Sequence, residues 1–205
     1  MDPRRRMQLY RTMHLWHWIS AAVCFAALAL FTITGITLNH ADVIGAKPAV
    51  TSGQAQLPAK LLAELQNPYL GENNEPPPAN LIEWAESEFK LSLGGATAEW
   101  SLEEVYLSAP GPGRDAWVSI DRETGAAKFE ATDRGWLAYF NDLHKGRNTG
   151  ITWKIFIDVV AAAVLFFSIT GLVLLWIQAR QRKSTSPLVG GGVVLVTALM
   201  IFFAH

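Results

Sequence analysis

Residues 18–38 read WISAAVCFAALALFTITGITL, a run of 21 residues without a charged side chain. About 20 apolar residues in a helix cross the ~30 Å hydrocarbon core of a bilayer. The run is longer than the apolar part of a signal peptide, and it continues into Leu38-Asn39-His40 without a small-residue cleavage site. It therefore predicts a membrane-spanning helix and not a cleaved leader.

Two further apolar runs follow near the other end of the chain. Residues 155–177 contain a single charged side chain, Asp158, and residues 188–204 contain none. The last run has the minimum length for crossing a bilayer as a helix. The sequence therefore predicts three membrane-spanning helices in a lipid bilayer.

The charges divide between the two sides of these spans. Arg4, Arg5, Arg6 and Arg11 precede the first span, whereas residues 41–150 hold 16 acidic against 9 basic side chains, a balance of -7. Basic residues stay on the cytoplasmic side of a membrane. We therefore expect a cytoplasmic N-terminus and an outer segment between the first two spans, which is periplasmic if the protein lies in a bacterial inner membrane. That acidic balance also excludes a basic face for nucleic acid.

The segment between the first two spans is predicted to contain a linker and a small domain. Residues 41–78 are rich in proline and predict an extended linker with a short helix at 59–65. Residues 79–146 predict an α+β domain with an amphipathic helix that stops at Gly94-Gly95, three antiparallel strands, and a final helix from Gly135 that ends near His144. The three strands are expected at 100–107, 117–120 and 127–129. The flanking regions, 1–40 and 147–205, hold the first span and the last two. The predicted fold class is a membrane α-helical protein with an inserted α+β domain.

Several motifs resemble a known family. The strand and turn at 118–125, VSIDRETG, resemble the hairpin of the PepSY domain, and three flanking segments, 13–18, 33–40 and 143–147, strengthen the likeness. The chain resembles the PepSY-associated transmembrane helix family in a short three-span form. The resemblance implies a relation to membrane haem proteins, including siderophore-iron reductases, that carry electrons to a periplasmic acceptor. A haem-dependent ferric reductase or an electron-transfer subunit is the implied activity.

A near repeat occurs once in the first span and once in the second. Residues 31–36 read FTITGI and residues 167–172 read FSITGL. Two interpretations of Gly35 and Gly171 stay open: close packing between helices, which small residues favour in membranes, and room for the face of a porphyrin. Because the two spans run in opposite directions, the repeats are expected at opposite membrane depths.

The histidines are the main chemical clue. All five lie at or near a predicted membrane boundary: His14, His17, His40, His144 and His205. Imidazole is a common ligand of haem iron, and a helical bundle offers an apolar pocket. The sequence therefore predicts haem b, one or two per chain.

The predicted topology sorts these ligands into two layers. His40 and His144 are expected on the outer side and form the best predicted pair, with His205 as a further candidate. His14 and His17 are expected on the cytoplasmic side, where one helix cannot place ligands on both faces of a haem. A second ligand in that layer requires another copy of the chain or another subunit, which predicts a homodimer or a larger membrane complex.

No nucleotide-binding or hydrolase motif is found in the sequence. An electron donor would therefore be a quinol or a flavoprotein, and the periplasmic acceptor would be a ferric siderophore, another iron chelate or a flavoprotein. The alternative function is a non-catalytic subunit whose domain docks to a larger membrane complex. The two functions differ in whether they require haem.

Overall fold

A computed structural model describes residues 2–45, 47–67, 70, 75–179 and 181–203. Seven helices and five strands are formed within these ranges. The helices are α1 (Pro3–Asn39), α2 (Ala41–Ile44), α3 (Ala59–Leu65), α4 (Ala79–Phe89), α5 (Gly135–Lys145), α6 (Ile151–Gln178) and α7 (Thr185–Phe203). The strands are β1 (Ala49–Gln56), β2 (Thr97–Trp100), β3 (Glu104–Ser108), β4 (Arg114–Asp121) and β5 (Ala126–Asp133).

The three predicted spans are confirmed as helices. Helices α1, α6 and α7 are each long and apolar enough to cross a membrane. Helix α1 has 37 residues because its basic N-terminal segment continues the helix beyond the apolar run. Helix α7 has no buried side chain among its described residues, so its surface is available to lipid.

The chain divides into two compact units. The helical unit consists of Met1–Leu30 and Ile155–His205, and the domain unit consists of Phe31–Lys154. The domain unit therefore includes the last turns of α1 and the first turn of α6 together with the inserted sheet.

The inserted domain is built on one antiparallel sheet in the order β1-β5-β4-β3-β2. Strand β1 lies within the 41–78 segment that proline content predicts as linker, and it pairs along its whole length with β5. The expected single strand from Trp100 to Leu107 is two strands, β2 and β3, which pair with each other. Leu102 lies in the turn between them and is 90% exposed. The expectation of three strands was therefore wrong, because one hairpin and one edge strand were missed.

Helix α4 covers the sheet as its amphipathic pattern predicts. Its buried side chains are spaced by four residues, at Leu81, Ala85 and Phe89. They join the inward-facing residues of the strands in one core. The helix ends at Phe89 because Lys90 adopts a left-handed conformation, several residues before the predicted stop at Gly94-Gly95.

The predicted hairpin turn after β4 is confirmed. Gly125 has a φ of +74°, which glycine adopts without strain. The neighbouring Arg122 is buried, and its guanidinium donates to the carbonyls of Leu65 (2.9 Å), Ser101 (2.6 Å) and Asn67 (2.9 Å). This cation therefore joins the turn to the α3 region and to the β2–β3 loop.

Candidate functional site

In the helical unit, the imidazole of His17 packs against the repeat in α6. The ring stacks on Phe167 with centroids 4.3 Å apart and an angle of 13° between the planes. A Cβ at Gly171 would lie 3.1 Å from His17 Cε1, so glycine leaves the space that the ring occupies. The second repeat therefore forms the surface on which an imidazole from α1 packs.

The hydrogen bonds of His17 assign its tautomer. Nδ1 lies 3.1 Å from the Phe167 carbonyl and 3.1 Å from Thr170 Oγ1. The carbonyl can only accept, and the Thr170 hydroxyl already donates to carbonyls of its own helix, at 2.9 Å and 3.0 Å. Nδ1 must therefore carry the hydrogen, which leaves the lone pair of the neutral ring on Nε2.

In the domain unit, His144 makes the matching contacts with the repeat in α1. Its Nδ1 lies 2.7 Å from Thr34 Oγ1, and the Thr34 hydroxyl also contacts the Phe31 carbonyl at 3.3 Å. The ring of Phe31 meets the imidazole edge-on with centroids 5.1 Å apart. A Cβ at Gly35 would lie 3.7 Å from His144 Cε1, an ordinary contact.

We call each set of Phe, Thr and Gly an imidazole cradle. The α6 cradle, Phe167, Thr170 and Gly171, holds His17, and the α1 cradle, Phe31, Thr34 and Gly35, holds His144. Both histidines are half-buried, and among the described residues neither Nε2 has a hydrogen-bond partner. An imidazole that donates through Nδ1 to a fixed acceptor and keeps Nε2 free is in the form that ligates a metal.

Helix α5 brings His144 to its cradle and is fixed on two sides. Asn141 is buried, and its Oδ1 accepts from the Thr37 hydroxyl at 2.8 Å. Asp142 is buried, and its Oδ2 accepts from the Gly113 amide at 2.9 Å and pairs with the Arg134 guanidinium at 3.3 Å. The two residues before His144 therefore attach α5 to the end of α1 and to the sheet.

Gly113 permits the close approach of α5. Its φ is +67°, and a Cβ there would lie 2.7 Å from the backbone nitrogen and Cα of Tyr139. After α5, the indole nitrogen of Trp153 donates to the Leu143 carbonyl at 2.9 Å. Trp153 thus holds the C-terminal end of α5.

Two other predicted ligands, His40 and His14, lie in less enclosed positions. His40 is exposed, and its Nδ1 contacts the Ile36 carbonyl at 3.0 Å. His14 is exposed, with its ring 5.9 Å from that of Tyr10. His205 lies outside the described residues. The pairing of His40 with His144 stays a prediction.

Sequence reasoning found the histidines and the repeats but did not connect them. It named Thr-Gly packing and porphyrin contact as interpretations, whereas in each unit the Thr-Gly pair contacts an imidazole. The signal was the repeat itself, because two copies of one motif suggest two copies of one contact. Asn141, Asp142 and Gly113 were missed, and the polar Asn-Asp pair inside an amphipathic helix was the available clue.

Comparison with known proteins identifies the family of the chain. The model of the PepSY_TM-like family matches residues 8–205. The match includes the three spanning helices, the inserted sheet and both imidazole cradles, and it confirms the resemblance inferred from the motifs. No curated protein and no solved structure matches the chain.

Proposed function

Since the chain belongs to the PepSY_TM-like family, we propose that it is an inner-membrane b-type haem protein that relays electrons to a periplasmic acceptor. The observation that carries the proposal is the pair of cradles, each of which holds an imidazole through Nδ1 while its Nε2 has no hydrogen-bond partner in the described part of the chain. One-electron reduction and oxidation of iron is the chemistry that haem supplies when bound.

The residues of this chain supply axial imidazoles and fix their orientation. Thr170 and Thr34 hold the His17 and His144 rings through Nδ1, as the outer partners of metal-bound histidines do. Phe167 and Phe31 pack against the rings and limit their rotation. A spanning helix therefore fixes the orientation of each imidazole. The apolar surroundings of such a helix suit a haem macrocycle.

The charge distribution suggests the direction of transfer. With the basic N-terminus in the cytoplasm, His17 belongs to the cytoplasmic layer and His144 to the periplasmic layer. A quinol or flavoprotein would reduce the chain, and a ferric siderophore, another iron chelate or a flavoprotein would oxidise it. His40 is our candidate for the second ligand opposite His144, and a second copy of the chain or another subunit would complete the layer of His17.

The first experiment is the reduced-minus-oxidised absorption spectrum of the purified chain, with haem content measured as the pyridine haemochrome. We expect a low-spin b-type spectrum from which His17→Ala and His144→Ala each remove a part. Ser168→Ala is the matched control, because Ser168 lies in the same repeat but is exposed. It should retain the full spectrum.

The opposite result has a clear meaning. If the chain contains no haem after expression with added haem precursor, the electron-relay function is wrong. The cradles are then polar packing contacts, and a docking subunit of a larger membrane complex becomes the better description. His40→Ala tests the outer pair separately, because loss of the same spectral component as in His144→Ala is expected only if both ligate one haem.

A further inference from the structure

Helix α5 has its polarity reversed relative to a helix on a water-soluble domain. Its buried face carries Asn141 and Asp142, whereas Trp136, Tyr139 and Phe140 are 78%, 36% and 39% exposed. Residues spaced by three and four lie on one helix face, so the three aromatic rings form a single exposed surface, which we call the aromatic face.

The depth of α5 follows from contacts inside the domain unit. His144 touches Thr34, which lies four residues, or about 6 Å of helix, inside the end of the apolar run at Leu38. Asn141 binds Thr37, one residue inside the same end. The C-terminal half of α5 therefore lies at the level where the first span leaves the hydrocarbon core.

From this placement we infer that α5 is an interfacial helix, and that its aromatic face is covered by lipid at the membrane–water boundary on the side of the inserted domain. Trp and Tyr concentrate at this boundary because each ring has an apolar body and a polar tip. An amphipathic helix that lies in the membrane plane buries its apolar face by about 5–10 Å. This position of α5 does not depend on whether the chain binds haem.

The buried polar pair explains how such a helix is held. The buried Asn141 and Asp142 bond the Thr37 hydroxyl and the Gly113 amide, so α5 stays attached to the protein beside its aromatic face. The aromatic face has no acidic side chain, because the only carboxylate of α5 is Asp142 on the buried side. Contact of this face with lipid would therefore not remove water from a carboxylate of α5.

The test places a nitroxide on the aromatic face. The only native thiol, Cys24, is buried. Cys24→Ala removes it, so that a single cysteine can be labelled in each variant. The labelled positions are Trp136→Cys and Phe140→Cys. Leu102→Cys is the matched control, since Leu102 is 90% exposed and lies in the β2–β3 turn. The strand after this turn begins at Glu104, which pairs with Asp121. Asp121 is the end of β4 far from Gly113, and β4 is about 23 Å long at ~3.3 Å per residue. The full chain is reconstituted in nanodiscs of phosphatidylcholine and phosphatidylglycerol.

Collision with dissolved oxygen, which concentrates in lipid, is compared with collision with a water-soluble nickel chelate. We expect oxygen to dominate at positions 136 and 140 and the nickel chelate to dominate at position 102. Dominance of the chelate at 136 and 140 would show that the face is in water and would overturn the inference. Exclusion of both reagents there would also overturn it, because the cover would then be protein, such as a second copy of the chain.

Discussion

Gly113→Ala tests whether the PepSY-like domain sets the position of His144. The added Cβ would lie 2.7 Å from the backbone of Tyr139, whereas ordinary contacts begin at 3.4 Å. Helix α5 must therefore move by about 0.7 Å, and the φ of +67° adds a cost of about 1–2 kcal/mol for a residue other than glycine. The mutation acts through backbone atoms, which cannot rotate aside as a side chain would.

His144 lies five residues beyond Tyr139 on the same helix and shares this displacement. A shift of about 0.7 Å along the bond to Thr34 lengthens it from 2.7 Å to about 3.4 Å, beyond the usual range of a hydrogen bond. A shift towards Thr34 is blocked by contact and would force α5 to tilt. Because functional groups must be held within about 0.5 Å of their working geometry, either movement should release the His144 ring.

The assay is NMR of the chain labelled with 15N-histidine in nanodiscs. In the wild type, we expect His144 to show a protonated Nδ1 and an unprotonated Nε2, and in Gly113→Ala we expect averaging between tautomers. Gly94→Ala is the control, since no atom of a described residue lies within 4 Å of the added Cβ. If Gly113→Ala unfolds at the same temperature as the control and keeps the wild-type His144 signals, the domain does not position this ring.

Three further predictions concern single residues. Gly171→Ala should displace His17 by a few tenths of an ångström and alter its 15N signals, because the added Cβ would lie 3.1 Å from His17 Cε1. Gly35→Ala should change the 15N signals of His144 less than this, because its Cβ would lie 3.7 Å from His144 Cε1. Arg122→Ala should lower the free energy of unfolding by about 3 kcal/mol or more, measured by denaturant titration, since three hydrogen bonds from a buried cation are lost; an unchanged midpoint would refute this role. The Thr124 amide, which donates to Asp121, holds the pKa of that carboxyl below its ordinary 3.8. The stability that this hydrogen bond gives to the turn is therefore complete above pH 3.8 and is lost as the pH falls through the lowered pKa. Amide exchange should detect this loss in the wild type but not in Asp121→Asn.

The spans and the amphipathic helix α4 could be predicted from their own residues. Each span is a long apolar run, and α4 repeats apolar side chains at helical spacing. Strand β1 could not, since its sequence, AVTSGQAQ, lacks the alternation of large apolar residues that indicates a strand. It is an edge strand held by pairing with β5, and the ring of Phe129 covers Gly53 closely. Such a strand depends on its partner more than on its own composition.

The candidate site was predictable in its residue types but not in its contacts. Histidines near span ends and a repeated Thr-Gly motif are visible in the sequence, whereas the contact of His144 with Thr34 joins residues 110 positions apart. That contact depends on where the sheet places α5, through Asp142 and the glycine at 113. Trp136 and Tyr139 were expected only as helix residues, and no local pattern says which side of a helix meets lipid and which meets protein.

Arg122 and Asp121 would make the β4–β5 turn respond to acid in two different ways. The three partners of the Arg122 guanidinium are backbone carbonyls, which do not titrate. The carboxylate next to it, Asp121, does titrate. Acid would therefore loosen the tip of this turn while its base stays attached, so the response would be a local, reversible opening between β4 and β5 and not a collapse of the sheet.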